Sequence, residues 1–278
     1  MSAVAHKASD ADFTIGSDAH LALFCRMLLD THIPYKPAHQ VWPEIDDDTR
    51  ARLLSLSIWD RAVQTETRAS VLIYAFAGCV KDSLLKRAIE MNAFEEVRHR
   101  ELLINLTAFY GIALPREPAY PRPVDCERGF MKVGYSECID SFFAFGLFTL
   151  AERSGFFPGE LVRIFEPVMQ EECRHILFFY NWMAWHRARL SWWRRIVFDG
   201  RRAGVFAGLI YERLMILLRI GGAAIRAGRG NLTKIDVSTG TVLGACLTEN
   251  NRRMAAYDAR LLRPTFVPTL ARLGRFFL

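Results

Sequence analysis

The chain has 278 residues with 51% hydrophobic and 24% charged residues and a formal net charge of +6, which allows a sizeable core. Modest numbers of Gly (18) and Pro (11) argue against a disordered chain or a turn-rich β architecture. Residues 1–12 lack a secretory apolar segment, no apolar stretch reaches the ~18 residues of a membrane span, and the six cysteines form no CxxC pair. We therefore expect a cytoplasmic protein with free thiols and without a zinc ribbon or a rubredoxin-type centre.

Helical periodicity runs through the chain, and no segment shows the alternation of a strand. Asp46 or Asp47 is expected to cap a long helix that Gly78 ends, and Gly111 ends the next helix before a proline-rich crossover at 115–123. The predicted helices cover residues 17–29, 46–76, 81–110, 134–154, 160–190, 191–227 (as one or two helices) and 241–262.

Two short segments of the chain match each other. Each contains Glu-x-x-His, as Glu96 with His99 and as Glu172 with His175. Positions i and i+3 share one face of a helix, so the carboxylate and the imidazole of each motif converge on one point. Carboxylate oxygens and neutral imidazoles suit iron or manganese better than soft thiolate ligands would.

Two metal ions need a further glutamate from the helix that precedes each motif. Glu66 stands 30 residues before Glu96 on an otherwise apolar stripe. A helical hairpin that turns at Gly78 brings these two glutamates to similar heights.

In the second half, Glu152 is predicted to supply the corresponding glutamate. It stands only 20 residues before Glu172, and two straight helices would leave the pair ~15 Å apart in height. A new helix that starts at Pro167, after a short cross-piece over 160–165, would reduce this difference. Glu137, which stands 35 residues before Glu172, is the weaker alternative.

This pattern resembles the ferritin-like di-iron carboxylate superfamily over about residues 45 to 190. The resemblance implies an all-α protein, with an antiparallel four-helix bundle at 45–190, an N-terminal extension at 1–44 and basic C-terminal helices at 191–278. It implies two iron ions, with manganese as the alternative metal, and no catalytic group beyond the metal ligands. The implied ligands are Glu66, Glu96, His99, Glu152, Glu172 and His175.

The resemblance also implies a supporting role for the acid before each motif. In similar proteins this acid, here Glu95 or Glu171, accepts a hydrogen bond from a metal-bound histidine on the partner helix. Arg98 and Arg174 would balance the charge of the two acids. The remaining histidines outside the motifs are predicted to be structural or exposed.

An oxygen-dependent oxidoreductase follows as the expected function. The reaction would be a hydroxylation, a desaturation or a related two-electron oxidation of an apolar small molecule or an acyl- or quinone-like substrate, with electrons from an external donor protein. A ferroxidase without an organic substrate and a non-enzymatic bundle with surface salt bridges remain the alternatives.

The segment 187–229 is strongly basic, with ten arginines, two acids and several aromatic residues. It predicts either a peripheral contact with the inner face of a membrane or, less favoured, a nucleic-acid contact. The third interpretation is a basic bundle face with its aromatic residues turned inward. A homodimer is left open.

Overall fold

The computed structural model describes residues 13–226 and 238–277, without the side chains of 216–226, 276 and 277. Within these ranges the chain is helical and contains no strand. Every helix there is too short or too polar to traverse a bilayer. The α-helices are α1 (Asp18–Asp30), α2 (Asp47–Ser55), α3 (Trp59–Ala77), α4 (Ser83–Tyr110), α5 (Cys126–Arg153), α6 (Gly159–Arg163), α7 (Glu166–Arg189), α8 (Trp192–Arg226), α9 (Thr239–Met254) and α10 (Phe266–Phe277).

Four long helices, α3, α4, α5 and α7, pack around a common interior. A short connection makes α3 and α4 a hairpin, α5 packs on α3 and α7, and α4 meets α7 across the interior. One end of this interior is aromatic: Phe76 stacks on Phe130 with ring centroids 4.6 Å apart, and Trp182 packs edge-on against both. The outer helices cover this bundle, with α1 on α4 and α7, α8 on α5, and α9 on α5 and α7.

The predicted helix over 46–76 is in fact two helices, α2 and α3. The backbone of Leu56 is extended and ends α2, and the indole Nε1 of Trp59 donates to the carbonyl of Leu53 at 2.9 Å. This bond satisfies a carbonyl that a continuous helix would have paired along its own backbone. The Trp59 side chain therefore stabilises the break between α2 and α3.

Two further boundaries differ from the prediction. Helix α5 starts at Cys126 rather than at 134, because the side chain of Asp125 accepts from the backbone N–H of Arg128 as an N-cap. The C-terminal helix predicted over 241–262 ends at Met254, and α10 was missed altogether.

Several arginines of α7 and α8 form ion pairs with acidic residues of the same chain. Arg201 pairs with Asp125 and Glu127, Arg213 with Asp140, and Arg187 with Asp199. Among the aromatic residues of α8, Phe198 is buried, as the interpretation of a basic face with inward aromatic residues expects, whereas Trp192, Trp193 and Tyr211 are exposed. That interpretation is therefore wrong for these three.

Helices α5 and α7 approach each other closely at Gly134. A Cβ built on this glycine would lie 2.1 Å from the ring of Phe179, which is fully buried. Only glycine, which has no side chain, allows this close approach. Gly134 lies one helical turn before Glu137.

We expect Gly134→Ala to lower the free energy of unfolding by about 1–3 kcal/mol, because overpacking against a fixed ring outweighs the better helix propensity of alanine. Urea unfolding followed by circular dichroism measures this change. The matched control is Gly240→Ala, where the nearest atom to a new Cβ is Ser238 Oγ at 3.8 Å. Equal stability of the two variants would contradict the prediction.

Candidate metal centre

Six acidic and imidazole side chains from the four bundle helices meet in the interior. They are Glu66 from α3, Glu96 and His99 from α4, Glu137 from α5, and Glu172 and His175 from α7. Their donor atoms form two overlapping groups, Glu66/Glu96/His99/Glu172 and Glu96/Glu137/His175, in each of which all atoms lie within 4.8 Å of one another. Each group has a donor set that can hold a metal ion.

The Nδ1 atoms of both histidines face this cluster. His99 Nδ1 lies 3.7 Å from Glu66 Oε2 and 3.2 Å from Glu172 Oε1. His175 Nδ1 lies 2.9 Å from Glu96 Oε1, and the two imidazole centroids are 5.7 Å apart. Glu96 belongs to both groups, so its carboxylate lies near both histidines.

Several donor atoms of the cluster are buried without a hydrogen-bond partner. Buried polar atoms are normally paired, so each such atom points to a missing ligand. Within the described part of the chain, these atoms include Glu96 Oε1, Glu137 Oε1, His99 Nδ1 and His175 Nδ1. Cations bound between them would satisfy all four, and the residues therefore fit a metal centre.

The electrostatics of the cluster agree with that fit. Burial, together with the neighbouring carboxylates Glu66 and Glu172, raises the pKa of Glu96 well above its usual range. Burial and the charge of Glu96 raise the pKa of Glu137 in the same way. Divalent cations at this position would reverse both effects, because they favour the ionised carboxylates.

Each histidine is oriented by the acid before the other motif. His99 Nε2 lies 3.0 Å from Glu171 Oε2, and His175 Nε2 lies 2.8 Å from Glu95 Oε2. When each Nε2 carries the proton and donates, each Nδ1 lone pair is directed at the cluster. This crossed arrangement is the one that the resemblance implied for Glu95 and Glu171.

Two buried arginines hold these acids. Arg98 pairs with Glu171 and donates to the carbonyls of Ile33 and Tyr35, at 2.9 and 3.1 Å. Arg174 donates to Glu95 Oε1 at 3.0 Å and to the carbonyl of Leu28. The two arginines therefore also fasten the end of α1 and the segment after it to the centre.

The charges around Glu95 keep it ionised. Burial opposes the charged form, but the hydrogen bond and charge of His175, the charge of Arg174 and the hydrogen bond with His32 lower its pKa to about 2. Glu95 is thus ionised, and its carboxylate contacts His175, Arg174 and His32.

Sequence reasoning missed three residues of this network. His32 Nδ1 lies 2.6 Å from Glu95 Oε1, the Tyr35 hydroxyl donates to Glu171 Oε2 at 3.3 Å, and Ser141 Oγ donates to Glu172 Oε2 at 2.7 Å. Ser141 carried a signal, because it follows Glu137 by four residues on one helix face. His32 and Tyr35 carried none, because they lie in an irregular segment remote from both motifs in sequence.

The structure places Glu152 outside the cluster. Its side chain is 46% exposed in the last turn of α5, with Oε1 3.7 Å from Arg163 Nη1. Glu137, the weaker alternative, occupies the expected position instead. The reason is the connection: α5 continues about four turns beyond Glu137, whereas Glu172 lies about two turns into α7.

The connecting segment between α5 and α7 takes up that difference in height. It contains the short helix α6, and Pro167 lies in the first turn of α7, as the sequence indicated. These features do bring Glu172 near the start of its helix. They bring it level with Glu137 rather than with Glu152.

A cavity of about 590 Å³ reaches the cluster, with Glu66, Glu96, Glu137 and Glu172 in its wall. Buried apolar side chains form part of its lining, including Ala69, Val133, Val168 and Met169. Its more exposed lining is charged and includes Arg61, Arg68, Lys132, Asp140, Glu212 and Arg213. The cavity therefore combines an apolar lining near the acids with a charged rim partly supplied by α8.

No family model matches the chain, and comparison with curated proteins and with solved structures finds no significant match.

We expect Glu137→Gln to retain about half of the metal bound by the wild type, because one of the two donor groups loses one of its two carboxylates and the other group is intact. Glu152→Gln is the matched control and should retain all of it. Inductively coupled plasma mass spectrometry on protein loaded with Fe(II) or Mn(II) measures both. The reverse ranking of these variants would contradict the assignment.

We also expect Glu171→Gln to weaken metal binding about 10- to 100-fold, since His99 loses the anion that orients it and raises its basicity. Chelator competition measures the affinity on folded protein. Glu117→Gln, which removes a surface partner of Arg100, is the control and should leave affinity unchanged. Equal affinities for both variants would exclude an orienting role for Glu171.

Proposed function

We propose that the chain is a ferritin-like di-iron carboxylate protein that uses dioxygen for a two-electron oxidation of an organic substrate. The observation that carries this proposal is a set of four buried, unpartnered donor atoms: three on the two facing Glu-x-x-His motifs (Glu96 Oε1, His99 Nδ1 and His175 Nδ1) and Glu137 Oε1 on α5. Their carboxylate and imidazole composition suits iron, with manganese as the alternative. When bound, an iron pair supplies the two-electron redox chemistry that activates dioxygen.

The protein's own contribution is to hold and orient the donors. Glu95 and Glu171 fix the imidazoles through Nε2, and the hydroxyl of Ser141 holds one oxygen of Glu172. Orientation by such outer partners keeps a centre of this kind in one geometry. The buried position of the histidines and Glu96 also excludes bulk water from the donors.

The cavity supports an organic substrate over iron storage. Its volume is in the range of small-molecule sites, and its apolar lining adjoins the glutamates where oxidation would take place. In the balance of a hydroxylation, one oxygen atom of dioxygen enters the substrate. The other oxygen atom is reduced to water by two electrons from an external donor protein and takes up two protons.

The test is to load the metal-free protein with two equivalents of Fe(II) without oxygen and mix it with dioxygenated buffer in a stopped-flow spectrometer. We expect rapid oxygen uptake and an optical change that His175→Ala abolishes, because that variant removes an imidazole from the second donor group. Glu152→Gln should behave as the wild type.

Three outcomes separate the alternatives. Bound iron that consumes no dioxygen, with or without a panel of apolar substrates, contradicts an oxygenase. Continued oxidation of a large excess of Fe(II) identifies a ferroxidase. Failure of the wild type to retain any metal would leave the cluster as a set of buried ion pairs and contradict the proposal as a whole.

A further inference from the structure

The side of α8 that faces away from the bundle is apolar, and no described part of the chain covers it. We call it the outward face; it extends over residues 192–214. Trp192 is 75% exposed, Ile196 64% and Tyr211 63%. The opposite side of the same helix carries Phe198 and Leu209, which are buried in the core. A helix with two apolar sides has a second surface to bury.

The centre of the outward face consists of small residues. It contains Gly200, Ala203, Gly204, Ala207 and Gly208, all exposed. A Cβ added to any of the three glycines would meet no atom within 4 Å, so no described part of the chain requires glycine there. Small residues at four-residue spacing allow the backbone of another helix to approach closely.

Large apolar residues flank this centre on both sides. Trp193, Ile196 and Val197 precede it, and Ile210, Tyr211 and Leu214 follow it, each at least 43% exposed. An antiparallel pair of α8 helices that cross between residues 203 and 204 would set Trp193 opposite Leu214, Ile196 opposite Tyr211 and Val197 opposite Ile210. The face is therefore complementary to itself under a two-fold axis, as an isologous interface requires.

The exposed area is sufficient for a stable contact. The exposed fractions of the large residues leave on the order of 1,000 Å² of accessible surface on one chain, compared with roughly 800 Å² per partner in a standard interface. The aromatic residues at its ends are of the types that dominate binding energy in such interfaces.

The charges nearby do not favour a lipid surface. A helix that lies on a membrane directs its basic residues at the headgroups, whereas Arg201 and Arg213 pair with acids of α5 or the residue before it. Arg194 stacks over the ring of Trp193 at 5.1 Å. Glycine and alanine at the centre would also contribute little to insertion into a bilayer.

We propose that the outward face of α8 binds the same face of a second copy of this chain and forms an antiparallel homodimer. Since Leu209, Glu212 and Arg213 of this helix also line the cavity, the contact would brace one wall of the site.

Sedimentation velocity and light scattering over a dilution series test this proposal. The wild type should have a measured mass twice the 31.8 kDa of one chain. Gly204→Glu and Ala207→Glu should each raise the dissociation constant at least about 100-fold, because every dimer would bury unpaired carboxylates. Both variants should keep the wild-type circular dichroism and metal content, since both positions are exposed and glutamate is a good helix former.

Ala51→Glu, on the exposed side of α2, is the matched control and should leave the dimer intact. A single-chain mass for the wild type at every concentration would overturn the proposal, as would equal dissociation by Ala51→Glu. Binding of a single chain to vesicles of phosphatidylglycerol and phosphatidylcholine, with no dimer in solution, would assign the face to lipid instead.

Discussion

Mutual repulsion of buried carboxylates is the constraint on which this structure depends. Four glutamates and two histidines share a space from which water is largely excluded, and taking ionised groups out of water is costly unless opposite charge compensates them. The outer acids Glu95 and Glu171 are compensated by Arg174 and Arg98. Among the described residues, the inner ones form ion pairs with the imidazoles alone, and a bound cation would correct this imbalance of charge.

Sequence spacing predicted the first half of the centre better than the second. In the α3–α4 hairpin both arms are continuous up to a short turn, so counting residues from Gly78 correctly paired Glu66 with Glu96. Between α5 and α7 the chain passes through the short helix α6. The number of residues between two positions therefore no longer gives their difference in height along the bundle. Glu152 was therefore preferred over Glu137, although Glu137 and Ser141 share one face of α5 in the manner of a buried site.

Contacts from irregular segments were beyond the reach of sequence reasoning. His32 and Tyr35 belong to no periodic element, and their partners lie 63 and 136 residues away. Helix α10 was missed for a different reason: the last predicted helix ends at residue 262, before Pro264, although the residues after this proline have an amphipathic pattern. The division of α8 into an arginine side that pairs with the bundle and an apolar outward face likewise depends on acids of other helices.

Through the carbonyls of Leu28, Ile33 and Tyr35, the centre depends on a part of the chain that lies outside the four bundle helices. These carbonyls accept from the same guanidinium groups that hold Glu95 and Glu171, and the bond from Arg174 to Leu28 joins residues 146 apart. Because Glu95 and Glu171 orient the imidazoles, the direction of each Nδ1 depends on how residues 28–35 are docked, although none of these residues supplies a donor atom to the cluster.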